Sequence, residues 1–187
     1  MIICGTGSNC YGINEKGEEA KANGWDYILG DEGSGYNIGI KALRAIMRAY
    51  DGRGESTLLS KTILEDLNIK DISELIRWAY SDSFSKEKIA TVAETVCRTA
   101  GMGDRISIKI LKEEAEEAVI SVEAVANKLN LANKEFDLVL VGSVFMCDKY
   151  FKAVFIEKLK DKFPKINFKP LTKKPVKGAI RLAIENL

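Results

Sequence analysis

The sequence predicts an α/β fold: a mixed sheet of five strands with a large helical insert. Three observations carry this. Short strand-like segments separated by turns open the chain, a continuous apolar run ending in glycine follows (within FDLVLVGSV, residues 136–144), and alternating strand and helix patterns close the chain. Short strands joined by tight turns pair antiparallel, whereas strand–helix–strand units favour parallel pairing through right-handed crossovers.

Taken in order, Ile2, Ile3 and Cys4 read as a short buried strand ending at Gly5. Residues 9–14 (NCYGIN) form a second strand, Glu15-Lys16-Gly17 a turn, and residues 18–22 a third, polar strand. A glycine-rich stretch, NGWDYILGDEGSGY (23–36), leads into a helix with Ile38, Leu43, Ile46, Met47 and Tyr50 at helical spacings; Asp51-Gly52-Arg53-Gly54 ends it. Ser56 is expected to cap a helix over 57–67 and Asp71 one over 72–80. Ser85 or Lys86 opens a helix over 86–100 that stops at Gly101-Met102-Gly103. Asp104 caps a long helix reaching Lys128, with Ile108, Leu111, Ala115, Ala118 and Val122 along one stripe.

The run at 136–144 reads as a strand buried on both faces. A helix over 149–162, a strand over 166–171 and a closing helix over 176–187 follow. An antiparallel three-strand meander with two added parallel strands describes an RNase H-like domain, with residues 52–130 or so as a helical insert. No repeat, low-complexity segment or linker interrupts the chain, so one domain over 1–187 is expected.

Composition narrows the function classes. Net charge is +1, with 46% apolar and 29% charged residues, which argues against a nucleic-acid binder with a broad basic face. The stretch KFPKINFKPLTKKPVKG (162–178) reads as solvated surface. No apolar run approaches the ~20 residues of a membrane helix. Nor is there a charged leader followed by an apolar segment, so the cytoplasm is the expected location. The chain has no histidine, and Cys4, Cys10, Cys97 and Cys147 form no C-x-x-C pair. A zinc site is not expected, histidine acid–base chemistry is excluded, and the cysteines read as small buried hydrophobes.

Three loops carry candidate chemistry. In Gly5-Thr6-Gly7-Ser8, glycines let backbone N–H groups converge on an anion, and Thr6 and Ser8 add hydroxyls. No Gly-Lys-Ser/Thr follows, so this is not a Walker loop, and a glycine-rich hairpin turn accounts for it equally well. Gly142-Ser143-Val144 stands at a strand's carboxyl end, where α/β sheets bind ligands; alternatively Gly142 lets a helix pack closely. Trp25, between turn residues beside Gly24, suits a flat ligand such as a sugar. Asp31 can accept paired hydrogen bonds from sugar hydroxyls or act as a helix-start carboxylate, with Ser34 as the N-cap.

These motifs occur in a fixed order: GTGSNC at 5–10, GW at 24–25, LGDEGSGY at 29–36 and VGSV at 141–144. Together they resemble the second half of N-acetylglucosamine kinases and the wider BadF/BadG/BcrA/BcrD ATPase family, within the superfamily of sugar kinases, actin and chaperone ATPases. The resemblance implies an actin-like ATPase fold of two RNase H-like lobes, with ATP and a sugar in the cleft between them. It implies ATP and Mg2+ as cofactors and a small-molecule sugar as substrate. Gly5, Thr6, Gly7 and Ser8 would face the phosphates, Gly142, Ser143 and Val144 the adenosine, and Gly24, Trp25 and Asp31 the amino sugar. The usual Gly-Gly-Trp-Gly reads here Asn23-Gly24-Trp25-Asp26, which puts a carboxylate where the family has glycine.

The same resemblance implies a preceding N-terminal lobe carrying an Asp-Gly-Gly-Gly-Thr phosphate loop and the aspartate base. This chain would then be the C-terminal lobe, with no catalytic residue of its own assigned and little turnover alone; a homodimer stays open. Two other functions stay open as well. One is an ATP-dependent activator of 2-hydroxyacyl-CoA dehydratases with Cys10 or Cys147 as iron–sulfur ligands. The other is a non-catalytic nucleotide-binding module.

Overall fold

Period-two alternation puts Ile2, Cys4 and Cys10 on one face of the opening strands, and that face becomes the floor of the core. The computed structural model describes residues 1–81, 85–172 and 175–185. In it β1 (Ile2–Cys4), β2 (Ser8–Ile13) and β3 (Glu19–Ala22) form an antiparallel meander. Strand β4 (Phe136–Val141) pairs parallel with β1, and β5 (Ile166–Lys169) parallel with β4. The order β3-β2-β1-β4-β5 is the mixed sheet that the element order predicts.

A short helix α1 (Asp26–Leu29) and the long α2 (Gly35–Tyr50) follow the meander. Then come α3 (Leu59–Asp66), α4 (Glu74–Ala79), α5 (Lys86–Ala90), α6 (Val92–Gly101) and α7 (Arg105–Lys128). Helix α8 (Ala153–Lys162) joins β4 to β5, and α9 (Pro175–Glu185) closes the described chain. Helices α2, α6 and α7 share one apolar core with the Ile2, Cys4, Cys10 and Leu138 face of the sheet. Phe145 packs edge-on against Phe151 and Phe155, at 5.5 and 5.2 Å between ring centres, and both partners are fully buried.

Several expectations need correction. Strand β4 is not buried on both faces: Leu138 is buried, but Val139 and Val141 on the opposite side are only half-buried, because the core helices lie on the Leu138 side. Ser56 does not cap α3. The Asp104 carboxylate reaches across instead, accepting from Leu58 N–H at 2.9 Å and Thr57 hydroxyl at 2.9 Å. Asp71 accepts from Ser73 N–H at 2.7 Å in a turn before α4, so that helix starts later than expected. The helix over 86–100 divides at Thr91 into α5 and α6. After β4 the chain winds first as a 3-10 turn (Ser143–Met146) and a wide turn (Asp148–Lys152) before α8. Residues 186 and 187 of the expected closing helix lie outside the described residues, as do 173 and 174 of the basic stretch.

The cysteines divide. Cys4 and Cys10 are buried thiols, as expected. Cys97 and Cys147 are joined in a disulfide that ties α6 to the turn after β4, at a sequence separation of 50. Their spacing gave no hint of this, because α7 and β4 must fold back before the two meet. Expected caps held elsewhere: Ser34 accepts from Asn37 N–H at 3.1 Å, Ser85 from Lys88 N–H at 3.1 Å, and Asp104 from Ser107 N–H at 2.8 Å.

Candidate functional site

The loop between β1 and β2 is built from its own backbone and from α2. Gly5 N–H donates to Gly7 carbonyl at 2.9 Å. Gly35 N–H donates to Gly5 carbonyl at 2.7 Å and Tyr36 N–H to Thr6 carbonyl at 3.2 Å, so the first turn of α2 holds the loop from below. Ser8 N–H donates to Asp31 Oδ1 at 2.9 Å. Among the described residues, the N–H groups of Thr6 and Gly7 donate to none, which leaves two adjacent backbone donors for an anion.

A second layer fixes the 23–33 loop against the first. Asn23 Nδ2 donates to Ser8 hydroxyl at 2.7 Å and Glu32 carbonyl at 2.8 Å, while its Oδ1 accepts from Gly24 N–H at 2.8 Å and Asp31 N–H at 2.7 Å. Asn23, Gly24, Asp26, Asp31 and Gly33 all take positive φ, between 65° and 81°. Asparagine and aspartate tolerate that region better than other side chains. Glu114, fully buried on α7, accepts from Gly33 N–H at 2.6 Å and pairs with Lys41 at 2.8 Å.

Lys86, the first residue of α5, completes the site. Its ammonium pairs with Asp31 and, at 2.7 Å, with Asp26. Burial alone would lower its pKa, but the two carboxylates outweigh this and hold it above its ordinary value, so Lys86 stays charged. Asp26 is held below the usual carboxylate value, first by Lys86 and then by Tyr27 N–H. A Cβ on Gly7 would lie 2.9 Å from Lys86 Nζ, so only glycine fits beneath this ammonium without a shift.

Two cavities meet here. One, of about 420 Å³, is lined by Gly5, Thr6, Gly7, Ser8, Asn9, Gly24, Asp26, Asp31 and Lys86. The other, of about 600 Å³, runs between α6 and the turn after β4, and Ser143, Val144 and the Cys97–Cys147 bridge line it. Gly5 and Thr6 line both. Gly142 brings the β4 turn up to the loop: its φ is +109°, and a Cβ there would lie 2.2 Å from Cys4 carbonyl oxygen. Trp25 is not part of either cavity; it is 66% exposed, with Lys21 Nζ 5.3 Å from its ring centre.

The model of the BadF/BadG/BcrA/BcrD ATPase family matches residues 1–183. The chain belongs to this family. It is 39% identical over 183 residues to an N-acetylmuramic acid/N-acetylglucosamine kinase of Clostridium acetobutylicum, covering 98% of this chain and 60% of that protein. It is 34% identical over 188 residues to an N-acetyl-D-glucosamine kinase of Dictyostelium discoideum, covering 100% of this chain and 59% of that one. A solved structure of a candidate N-acetylglucosamine kinase from Chromobacterium violaceum superposes with a TM-score of 0.75 at 19% identity, over 97% of this chain and 57% of the other. That likeness shows the fold. The chain spans about three-fifths of the length of the two named kinases.

Within this family frame, the cysteines do not suit a cluster. Cys147 is bonded to Cys97, and Cys10 lies buried with its pKa pushed up to about 11, mainly by burial. Among the described residues no group of acidic or cysteine side chains could hold a metal ion. Reading the sequence missed Lys86, Asn23 and Glu114. Two signals were available. A lysine opening a helix opposes the dipole, and Glu114 interrupts the apolar stripe between Leu111 and Ala118.

Proposed function

We propose that this chain is the C-terminal lobe of an ATP-dependent kinase acting on N-acetylglucosamine or a related amino sugar. One observation carries the reading: Gly5 and Thr6 line both cavities, so a phosphate held there faces a groove on one side and the Gly24–Asp31 loop on the other. In this reading the adenosine lies in the larger groove beside Ser143 and Val144. Gly142 packs beneath it and sets the turn. The sugar lies in the smaller cavity against Gly24 and Asp31. Asn9 lines this cavity, and its side-chain oxygen is buried without a hydrogen-bond partner. The named functions of the two sugar-kinase relatives support the substrate class.

The chain's own contribution is binding and orientation. The N–H groups of Thr6 and Gly7 and the Thr6 hydroxyl hold phosphate oxygens, and Asp31 keeps Ser8 and hence the loop in place. Phosphoryl transfer depends on positioning and charge neutralisation. Asp26 and Asp31 are both occupied by Lys86, so these residues do not fit a magnesium site; the ion enters as the partner of the nucleotide. The base belongs, in this proposal, to an N-terminal lobe that acts as partner. Sugar-dependent ADP release by this chain alone at an ordinary kinase rate would defeat that part.

Calorimetric titration of Mg·ADP tests the lobe itself. We expect measurable binding that Thr6→Ala weakens about tenfold, the size of one hydrogen bond to a charged group. Binding that is indifferent to Thr6 would overturn the phosphate-loop assignment.

A further inference from the structure

Lys86 stands where the two cavities' chemistries meet, yet none of the family motifs contains it. Its side chain is 20% exposed and its ammonium lies directly above Gly7. An ammonium has three N–H donors. Asp31 takes one and Asp26 a second, at 2.7 Å, which leaves a third on the wall of the cavity. The two carboxylates are not equivalent. Asp31 is buried and also committed to Ser8 N–H, whereas Asp26 is 69% exposed and has only Tyr27 N–H beside Lys86. Water can take over Asp26 at little cost, whereas parting Lys86 from Asp31 would leave a buried carboxylate without its charge partner.

We propose that Lys86 binds the terminal phosphate of the nucleotide, exchanging Asp26 for a phosphate oxygen while Asp31 keeps it aimed at the loop. The inference rests on the kinase reading above. In that reading the amides of Thr6 and Gly7 reach the phosphate from the loop side and Lys86 from the insert side. The insert therefore supplies the positive charge that the loop, with no lysine of its own, does not carry. Asp26, at the position where the family pattern has glycine, becomes the internal competitor that this phosphate must displace.

The test compares adenosine, Mg·ADP and the Mg complex of a non-hydrolysable ATP analogue, titrated into the wild type, Lys86→Met, Lys86→Arg and Asp26→Gly. The readout is the ratio of ADP to analogue dissociation constants, which isolates the last phosphate. Lys86→Met is expected to cut that ratio about tenfold and Lys86→Arg to keep most of it, in line with one charge-assisted hydrogen bond. Asp26→Gly is expected to raise it, which loss of a purely structural clamp would not do. Adenosine affinity stays the same throughout. A ratio unchanged in Lys86→Met, or unchanged in Asp26→Gly, overturns the inference. The second arm holds even if Lys86→Met fails to fold. A wild type that binds ADP but shows no such dependence refutes only this inference; a wild type that binds no nucleotide refutes the kinase reading as well.

Discussion

Replacing Glu114 by alanine is the sharpest test of how the site is supported from behind. The side chain is fully buried and holds Gly33 N–H at 2.6 Å, Asn37 Nδ2 at 3.3 Å and Lys41 Nζ at 2.8 Å. Alanine leaves the Gly33 donor buried without a partner, at about 1–3 kcal/mol. Breaking a buried ion pair costs about 3–5 kcal/mol where the orphaned charge has no other recourse. Lys41 does have one, because it is 34% exposed and keeps Glu113 at 3.2 Å. The sum therefore falls near 3 kcal/mol, at the low end of that range. Urea unfolding of the oxidised protein, followed by circular dichroism, would show the midpoint lowered by about 1.5 M for a slope near 2 kcal/mol/M, with the slope unchanged. Glu114→Gln keeps an acceptor for Gly33 and should lose about 1 kcal/mol. A loss below about 1 kcal/mol for the alanine variant would refute the claim that this carboxylate anchors the loop.

Other consequences follow from the same geometry. Cys10, with its pKa near 11, and Cys4, pushed well above the ordinary thiol by burial, should resist alkylation at pH 8 in the native protein and react on unfolding; fast native labelling counted by mass would contradict the packing. Burial alone would raise Asp104, but bonds from Ser107, Leu58 and Thr57 outweigh it and hold the carboxyl below 3.8. A depressed folded pKa means stability that is present above the unfolded value and lost as pH falls below about 4. In Asp104→Asn that acid limb should flatten, and an unaltered pH–stability curve would count against it. Reducing the Cys97–Cys147 bridge should lower unfolding stability by about 2–4 kcal/mol, given the length of chain it closes; equal urea midpoints with and without reductant would show that the bridge contributes nothing.

The sheet was legible because its signals are local. Ile2 and Cys4 alternate with Ile3, the apolar run before Gly142 is continuous, and the turns between the first strands are short. The bends at Gly5–Ser8 and Gly24–Asp31 were legible for the same reason, since closely spaced glycines in the first and Gly30-Asp31 in the second mark backbone that must turn. What stayed hidden depends on distance along the chain. Lys86 reaches Asp26 across 60 residues, and Glu114 reaches Gly33 across 81. Cys97 meets Cys147 at a sequence separation of 50, with α7 and β4 lying between them in the chain. The double burial expected of β4 failed because continuous apolarity reports a strand's composition, not which of its faces the chain itself covers.

Asp31 has a consequence for the order in which ligands are felt. One of its oxygens serves the backbone of the Gly5–Ser8 loop, and the other serves a side chain rooted in the helical insert. A single carboxylate thus belongs to two potential binding events at once. Any ligand that draws on one oxygen alters the free energy available at the other. Thermodynamic linkage then requires the effect to run both ways by the same factor. If the proposed function holds, sugar affinity with and without nucleotide and nucleotide affinity with and without sugar change by one common ratio, and Asp31→Asn is the substitution expected to bring that ratio towards unity.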